Sequence, residues 1–262
     1  MVRRRQIFEG KTKIFFEVSK PGCLAAHFKD DAVYDHKLEQ IDENPHMVIG
    51  KGVINNRISE YIMTKLDQIG VPNHFVRNLN MREQLVKQVE IIPVSVVVRN
   101  VVAGSLARRF NLSEGDQLPR SIIELYYKSE TFPKPMILEE HATAFGWATP
   151  HEIEEMMALS LRINDFLLGL FIGVGVRLVD LKLEFGRLYD SEQVRVILAD
   201  EVSPDSCRLW DAKTQSKFGF DRYFSGMDNI AESYQQIASR LGILPENVGD
   251  NILESRLMSK IN

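Results

Sequence analysis

Between Val176 and Phe185 apolar and polar residues alternate one for one, the period of a β-strand with one apolar face. Val179, Leu181, Leu183 and Phe185 fall on one side. Asp180, Lys182 and Glu184 fall on the other, roughly 6.5 to 7 Å apart along the strand. A turn rich in Gly, Asp and Ser follows, and VRVILADE then reads as the antiparallel partner of a hairpin. A register centred near Ser191 puts Asp200 opposite Lys182 and diagonal to Glu184, whereas a slip of one residue turns Asp200 to the other face.

The same periodicities divide the rest of the chain. Strand, turn and strand are predicted over Gln6 to Glu9, Gly10 and Lys11 to Val18, with a short strand from Leu24 to Lys29 after the Pro21–Gly22 turn. Ile54, Ile58, Ile62, Leu66 and Ile69 form one helical stripe, which Gly70 and Pro72 terminate. Residues 74–102 alternate into strands, with Pro93 between two apolar runs as a hinge, and Gly104 and Ser105 open a helix. Thr149, Pro150 and Glu152 make a capping box with proline at the first helical position. The helix they start runs through Met156, Leu159, Ile163 and Leu167 to Gly173 and Gly175. A closing helix over Met227 to Leu241 carries Ile230, Tyr234, Ile237 and Leu241 on one stripe.

Two carboxylates converging from neighbouring strands with a lysine between them suit a hard divalent cation such as Mg²⁺ and the phosphate oxygens it bridges. Taken alone, the strand pair fits a solvated outer face of an antiparallel sheet equally well. The residues after it change that balance. Asp200 runs into EVSPDSCRLWD, where Pro204 and Asp205 mark a turn and Arg208, Trp210 and Asp211 crowd the exit. LVDLKLEFG followed by ADEVSPDSCRLWD resembles the phosphoribosylaminoimidazole-succinocarboxamide synthase (SAICAR synthetase) family, whose pattern is close to VDFKLEFG and then DEXSPDXXRXWD. The resemblance extends over roughly residues 7 to 243.

That resemblance implies an ATP-dependent ligase of de novo purine biosynthesis. The carboxylate of carboxyaminoimidazole ribonucleotide is activated by the γ-phosphate of ATP, and the amine of L-aspartate displaces phosphate from the acyl phosphate. It implies an α+β fold with antiparallel sheets and a two-lobed, ATP-grasp-like or kinase-like architecture with the nucleotide between lobes. Residues 1–90 would be the ATP-binding lobe, and 91–262 the lobe with the metal and ribonucleotide site. EGKTK at Glu9 to Lys13 is not a Walker A motif. Glycine and alternate lysines describe most surface hairpins, but the family places its ATP phosphate loop here, which makes Gly10, Lys11 and Lys13 nucleotide ligands. By the same resemblance Arg99, Ser105 and Arg208 hold the phosphate of the ribonucleotide. Glu184 and Asp200 hold Mg²⁺, Lys182 bridges phosphate and substrate carboxylate, and Asp180 hydrogen-bonds the imidazole amino group. Lys134 stands where the family has aspartate, so no role is carried over to that loop or to Lys128.

Composition adds limits. The 262 residues, 44% hydrophobic and 26% charged with a net charge of −4, describe an ordinary globular chain with no basic surface for nucleic acid or anionic lipid. The most apolar window, Phe166 to Val176, is too short to span a bilayer. Cys23 and Cys207 form no CxxC pair, which points to reduced thiols in the cytoplasm and to no zinc site. The six histidines show no ligand spacing and are assigned surface or core roles. A homodimer is what the family suggests. The alternatives are a small-molecule kinase of similar fold, which the absence of HRD and DFG patterns opposes, and a non-catalytic nucleotide-binding protein.

Overall fold

The computed structural model describes residues 4–31, 47–128, 135–190 and 193–244. Most of the acidic stretch after Asp30, Lys134, Ser191 and the tail from Pro245 therefore lie outside the described residues. The first sheet contains β1 (Gln6–Glu9), β2 (Lys13–Glu17), β3 (Cys23–Phe28), β4 (Phe75–Asn80) and β5 (Glu83–Lys87). Its order is β1-β2-β3-β5-β4, and every pair is antiparallel. Between β3 and β4 the chain makes α1 (Lys51–Gln68), whose Ile54, Ile58, Ile62 and Leu66 are buried as their spacing predicts.

A second antiparallel sheet begins at Glu90. It contains β6 (Glu90–Val101), β7 (Gln117–Tyr127), β8 (Met136–Ile137), β9 (Val176–Tyr189) and β10 (Val194–Ala199) in the order β10-β9-β6-β7-β8. β11 (Cys207–Asp211) pairs with the first half of β9. The helices are α2 (Gly104–Phe110), α3 (Glu139–Ala144), α4 (Pro150–Gly173), α5 (Gly219–Phe224) and α6 (Ile230–Arg240). The chain is thus α+β with antiparallel sheets. Pro93 does not break a strand: β6 runs through it, at an irregularity in the β6–β9 register between Ile91 and Ser95 where a missing N–H is tolerated. The break falls instead at Gln88 and Val89.

One face of the second sheet is apolar and one is polar. Val94, Val96 and Val98 of β6 and Leu181, Leu183 and Phe185 of β9 share a core with Met156, Ile163 and Leu167 of α4 and with the stripe of α1. The Thr149–Glu152 capping box forms as predicted. As a whole α4 is long and apolar enough to cross a membrane, a length that the narrower window 166–176 understated, but its buried residues are this core.

The start of α1 is held by one carboxylate. Asp30 accepts from the backbone N–H groups of Gly50 (3.2 Å) and Gly52 (2.8 Å) and from both terminal nitrogens of Arg82 (2.8 Å each). Burial opposes its charge, and Arg82 with the two amides outweighs burial, lowering its pKa to about 2. Asp30→Asn should cost roughly 2 kcal/mol at neutral pH by urea denaturation. Because the folded pKa is depressed, the parent has this stability above the unfolded value near 3.8 and loses it as pH falls through about 2, so parent and variant should converge there.

Candidate active site

The polar face of the second sheet carries two joined clusters, and strand register builds both. β6 pairs Arg99 with Asp180, Val97 with Lys182 and Ser95 with Glu184, while β11 sets Arg208 opposite Asp180. Across β7, Glu124 lies opposite Val97 and Tyr126 opposite Ser95. Residues directly opposite share a face, so these side chains meet above the sheet. The row Asp180, Lys182, Glu184 is as predicted. Val179 is not where strict alternation puts it: Leu209 pairs with Leu178 and Arg208 with Asp180, leaving Val179 as the extra residue of a bulge. Leu178 joins the main core instead, and Val179 packs with Val101, Ala103 and Trp210.

In the first cluster the Arg99 guanidinium donates to Glu124 (2.7 Å), Asp180 (3.0 Å), the Ser105 hydroxyl (3.0 Å) and Tyr126 (3.3 Å). Arg208 lies 3.5 Å from Asp180 and 3.1 Å from Asp221, so Asp180 sits between two arginines. Gly104 makes room for this. It has φ +52°, and a Cβ there would collide with the Arg208 guanidinium.

The second cluster joins the sheets. Lys13, the first residue of β2, reaches Asp200 at 2.6 Å and pairs with Glu201, its side chain only 5% exposed. Thr12 also donates to Glu201 (3.2 Å), whose other oxygen accepts from Ser203 (2.5 Å). Burial disfavours the charge on Lys13, and Asp200 and Glu201 override it, so its pKa is raised. Lys182, 37% exposed, donates to Glu184 at 2.5 Å, and Lys128 pairs with the other Glu184 oxygen. Burial raises the Glu184 pKa, yet the two lysines hold it well below the usual carboxylate range. Lys182 is raised in turn: desolvation opposes its charge, and Glu184 and then Asp200 outweigh that.

Asp200 reaches this cluster by a route other than the expected one. The hairpin pairs Val194 with Tyr189 and Ala199 with Glu184. That register is one residue away from a centre at Ser191, and continued regularly it would set Asp200 opposite the buried Leu183 rather than Lys182. The strand ends at Ala199, and Asp200 takes a left-handed φ of +58° that departs from the pleat and lets its carboxylate reach Lys13. Lys11 also differs from expectation. It lies with Gly10 in the β1–β2 turn, where Gly10 N–H donates to Lys13 O (2.8 Å), so Lys11 is exposed and does not share a strand face with buried Lys13.

Sequence reasoning set Lys128 aside and did not single out Glu201, Glu124 or His74. Lys128 and Glu124 become visible only through the pairing of β7 with β6, which lies beside β9. Glu201 stood beside Asp200 in the quoted motif, where its acidity was the available signal. Among the described residues no group of three His, Cys, Asp or Glu side chains is assembled as a cation site.

The family model described as SAICAR synthetase matches residues 6–241. Phosphoribosylaminoimidazole-succinocarboxamide synthase of Rhodospirillum centenum is 58% identical over 246 residues, 94% of this chain and 95% of that protein. The crystal structure of phosphoribosylaminoimidazole-succinocarboxamide synthase from Ehrlichia chaffeensis superposes with TM-score 0.87 at 42% identity, over 92% of this chain and all of that one. A SAICAR synthetase (Type-2) in complex with ADP gives TM-score 0.83 at 36% identity, over 91% and 99%.

Lys13→Met strands Glu201 as a buried charge and should lower the unfolding free energy by about 3–5 kcal/mol in urea. Lys11→Met, at an exposed turn position, should leave the urea midpoint unchanged.

Proposed function

The chain belongs to the SAICAR synthetase family and is an ATP-dependent ligase, and from its geometry we propose how the two clusters divide the reaction. It joins L-aspartate to the carboxylate of carboxyaminoimidazole ribonucleotide in purine biosynthesis. A carboxylate and an amine do not condense in water unaided, so triphosphate and substrate carboxylate must be neutralised and held in line.

In this reading the two sheets are two lobes with the nucleotide between them, 1–90 binding ATP and 91–262 carrying the metal and ribonucleotide site. The observation that carries it is the cross-sheet charge cluster, in which β2, β9 and the residues just after β7 and β10 bring Lys13, Lys128, Lys182, Glu184 and Asp200 together. Two carboxylates are too few to cage a cation, but as hard oxygen donors they fit Mg²⁺. Glu184 and Asp200 would hold it. There it would offset negative charge on the nucleotide phosphates. Gly10, Lys11 and Lys13 face the nucleotide, Lys11 from the exposed turn and Lys13 by exchanging a carboxylate partner for a phosphate. Lys182, more open than Lys128, sits where it can bridge the γ-phosphate and the substrate carboxylate as the acyl phosphate forms.

Arg99, Ser105 and Arg208 hold the ribonucleotide phosphate, and Asp180, fixed between the two arginines, accepts from the imidazole amino group. A biosynthetic pathway and bacterial relatives support a cytoplasmic location.

ADP release by the purified protein should require both carboxyaminoimidazole ribonucleotide and aspartate and should stop when Mg²⁺ is chelated. Glu184→Gln should lower turnover by on the order of 10². Near-parental turnover of that variant at low Mg²⁺ would remove Glu184 from the metal site. Arg208→Ala should chiefly raise the KM for the ribonucleotide, with ATP affinity unchanged, in steady-state kinetics.

A further inference from the structure

The left-handed backbone at Asp200 is what delivers its carboxylate to Lys13, a conformation uncommon outside glycine though more accessible to aspartate than to most residues. Support comes from the segment leading into β4. Leu198 N–H donates to Pro72 O (2.9 Å), and His74 N–H donates back to Leu198 O (2.9 Å), a parallel bridge centred on Asn73. Asn73 is itself fixed: its amide donates to the carbonyls of Met63 (3.0 Å) and Val71 (3.3 Å) and accepts from Phe75 N–H (3.1 Å). This clamp places the buried His74 ring with Nε2 at 2.8 Å from the Asp200 carbonyl oxygen. The acceptor is a carbonyl, so Nε2 carries the hydrogen and donates.

We propose that His74 is a positioning residue of the ligase: its Nε2–H holds the Asp200 peptide in the left-handed turn that aims the carboxylate at the metal–nucleotide site. The strand before Asp200 cannot do this, because its own register continues toward the apolar face. Nor does Lys13 suffice, since an ion pair fixes the carboxylate end and leaves the peptide to rotate. The buried His74 ring acts through Asp200. The proposal rests on Asp200 being a magnesium ligand.

Three variants of the full chain separate the two claims, each read as turnover against Mg²⁺ concentration, with thermal melting as a check on folding. Asp200→Asn calibrates the metal reading and should raise the Mg²⁺ requirement. His74→Gln keeps an amide N–H near the position of Nε2, whereas His74→Asn is equally polar but too short to reach the Asp200 carbonyl. His74→Asn should raise the Mg²⁺ needed for half-maximal turnover about tenfold, as loss of a group orienting a metal ligand does, with the KM for the ribonucleotide unchanged. His74→Gln should stay within about twofold of the parent. Equal Mg²⁺ requirements in the Gln and Asn variants, with Asp200→Asn impaired, overturn the role of His74 and leave the metal reading standing. An unchanged requirement in Asp200→Asn overturns the metal reading and this proposal with it.

Discussion

A buried ammonium joins the two sheets, beside the main-chain bridge between Asn73 and Leu198. Lys13 belongs to the first sheet by backbone pairing and to the second by charge, since its partners Asp200 and Glu201 follow β10 directly. A charge this deep is tolerated only when matched, and the match here is generous, with Thr12 and Ser203 completing the coordination of Glu201. The relative placement of the sheets is therefore fixed at the point where the nucleotide is proposed to sit. Apolar packing through α1 and α4 supplies most of the burial, but it lies on the opposite face of the second sheet and leaves the polar face open for chemistry.

The polar face is shaped by departures from regular structure as much as by the regular strands. The bulge at Val179 carries β9 past β11 with Asp180 still turned toward Arg99 and Arg208. Left-handed Gly104 lets the Arg208 guanidinium approach the chain, and left-handed Asp200 carries a carboxylate out of a strand whose pleat would have hidden it. At Val179 and Asp200 the lost pairing and the strained backbone accompany ion pairs that the regular strand would not form.

These departures also explain which features could be read from the sequence. The helical stripes of α1 and α4, the capping box at Thr149 and the charged row on β9 follow from periodicity and cap chemistry, which are local. The two long motifs sufficed for the family. The hairpin register was misread by one residue because the turn around Ser191 admits either count, and the left-handed residue that cancels the slip is set by His74, far away in the chain. Lys128 was set aside because its loop departs from the family at Lys134; its place in the cluster comes from β7 lying beside β6, not from its neighbours in sequence. Pro93 suggested a hinge, but an irregular point in the β6–β9 pairing absorbs it without bending the chain away from the sheet.

The pairing of every central lysine with a carboxylate has a consequence for selectivity. An anion arriving alone meets ammonium groups already satisfied by Glu184, Asp200 and Glu201, and a lone cation meets carboxylates already satisfied by Lys13, Lys128 and Lys182. Either one would have to break internal pairs and leave half of each uncompensated. A dication and a polyphosphate entering together let both halves find new partners at once. On the proposed reading the cleft is thereby a coincidence detector, answering to the metal–nucleotide complex and discriminating against its separated components.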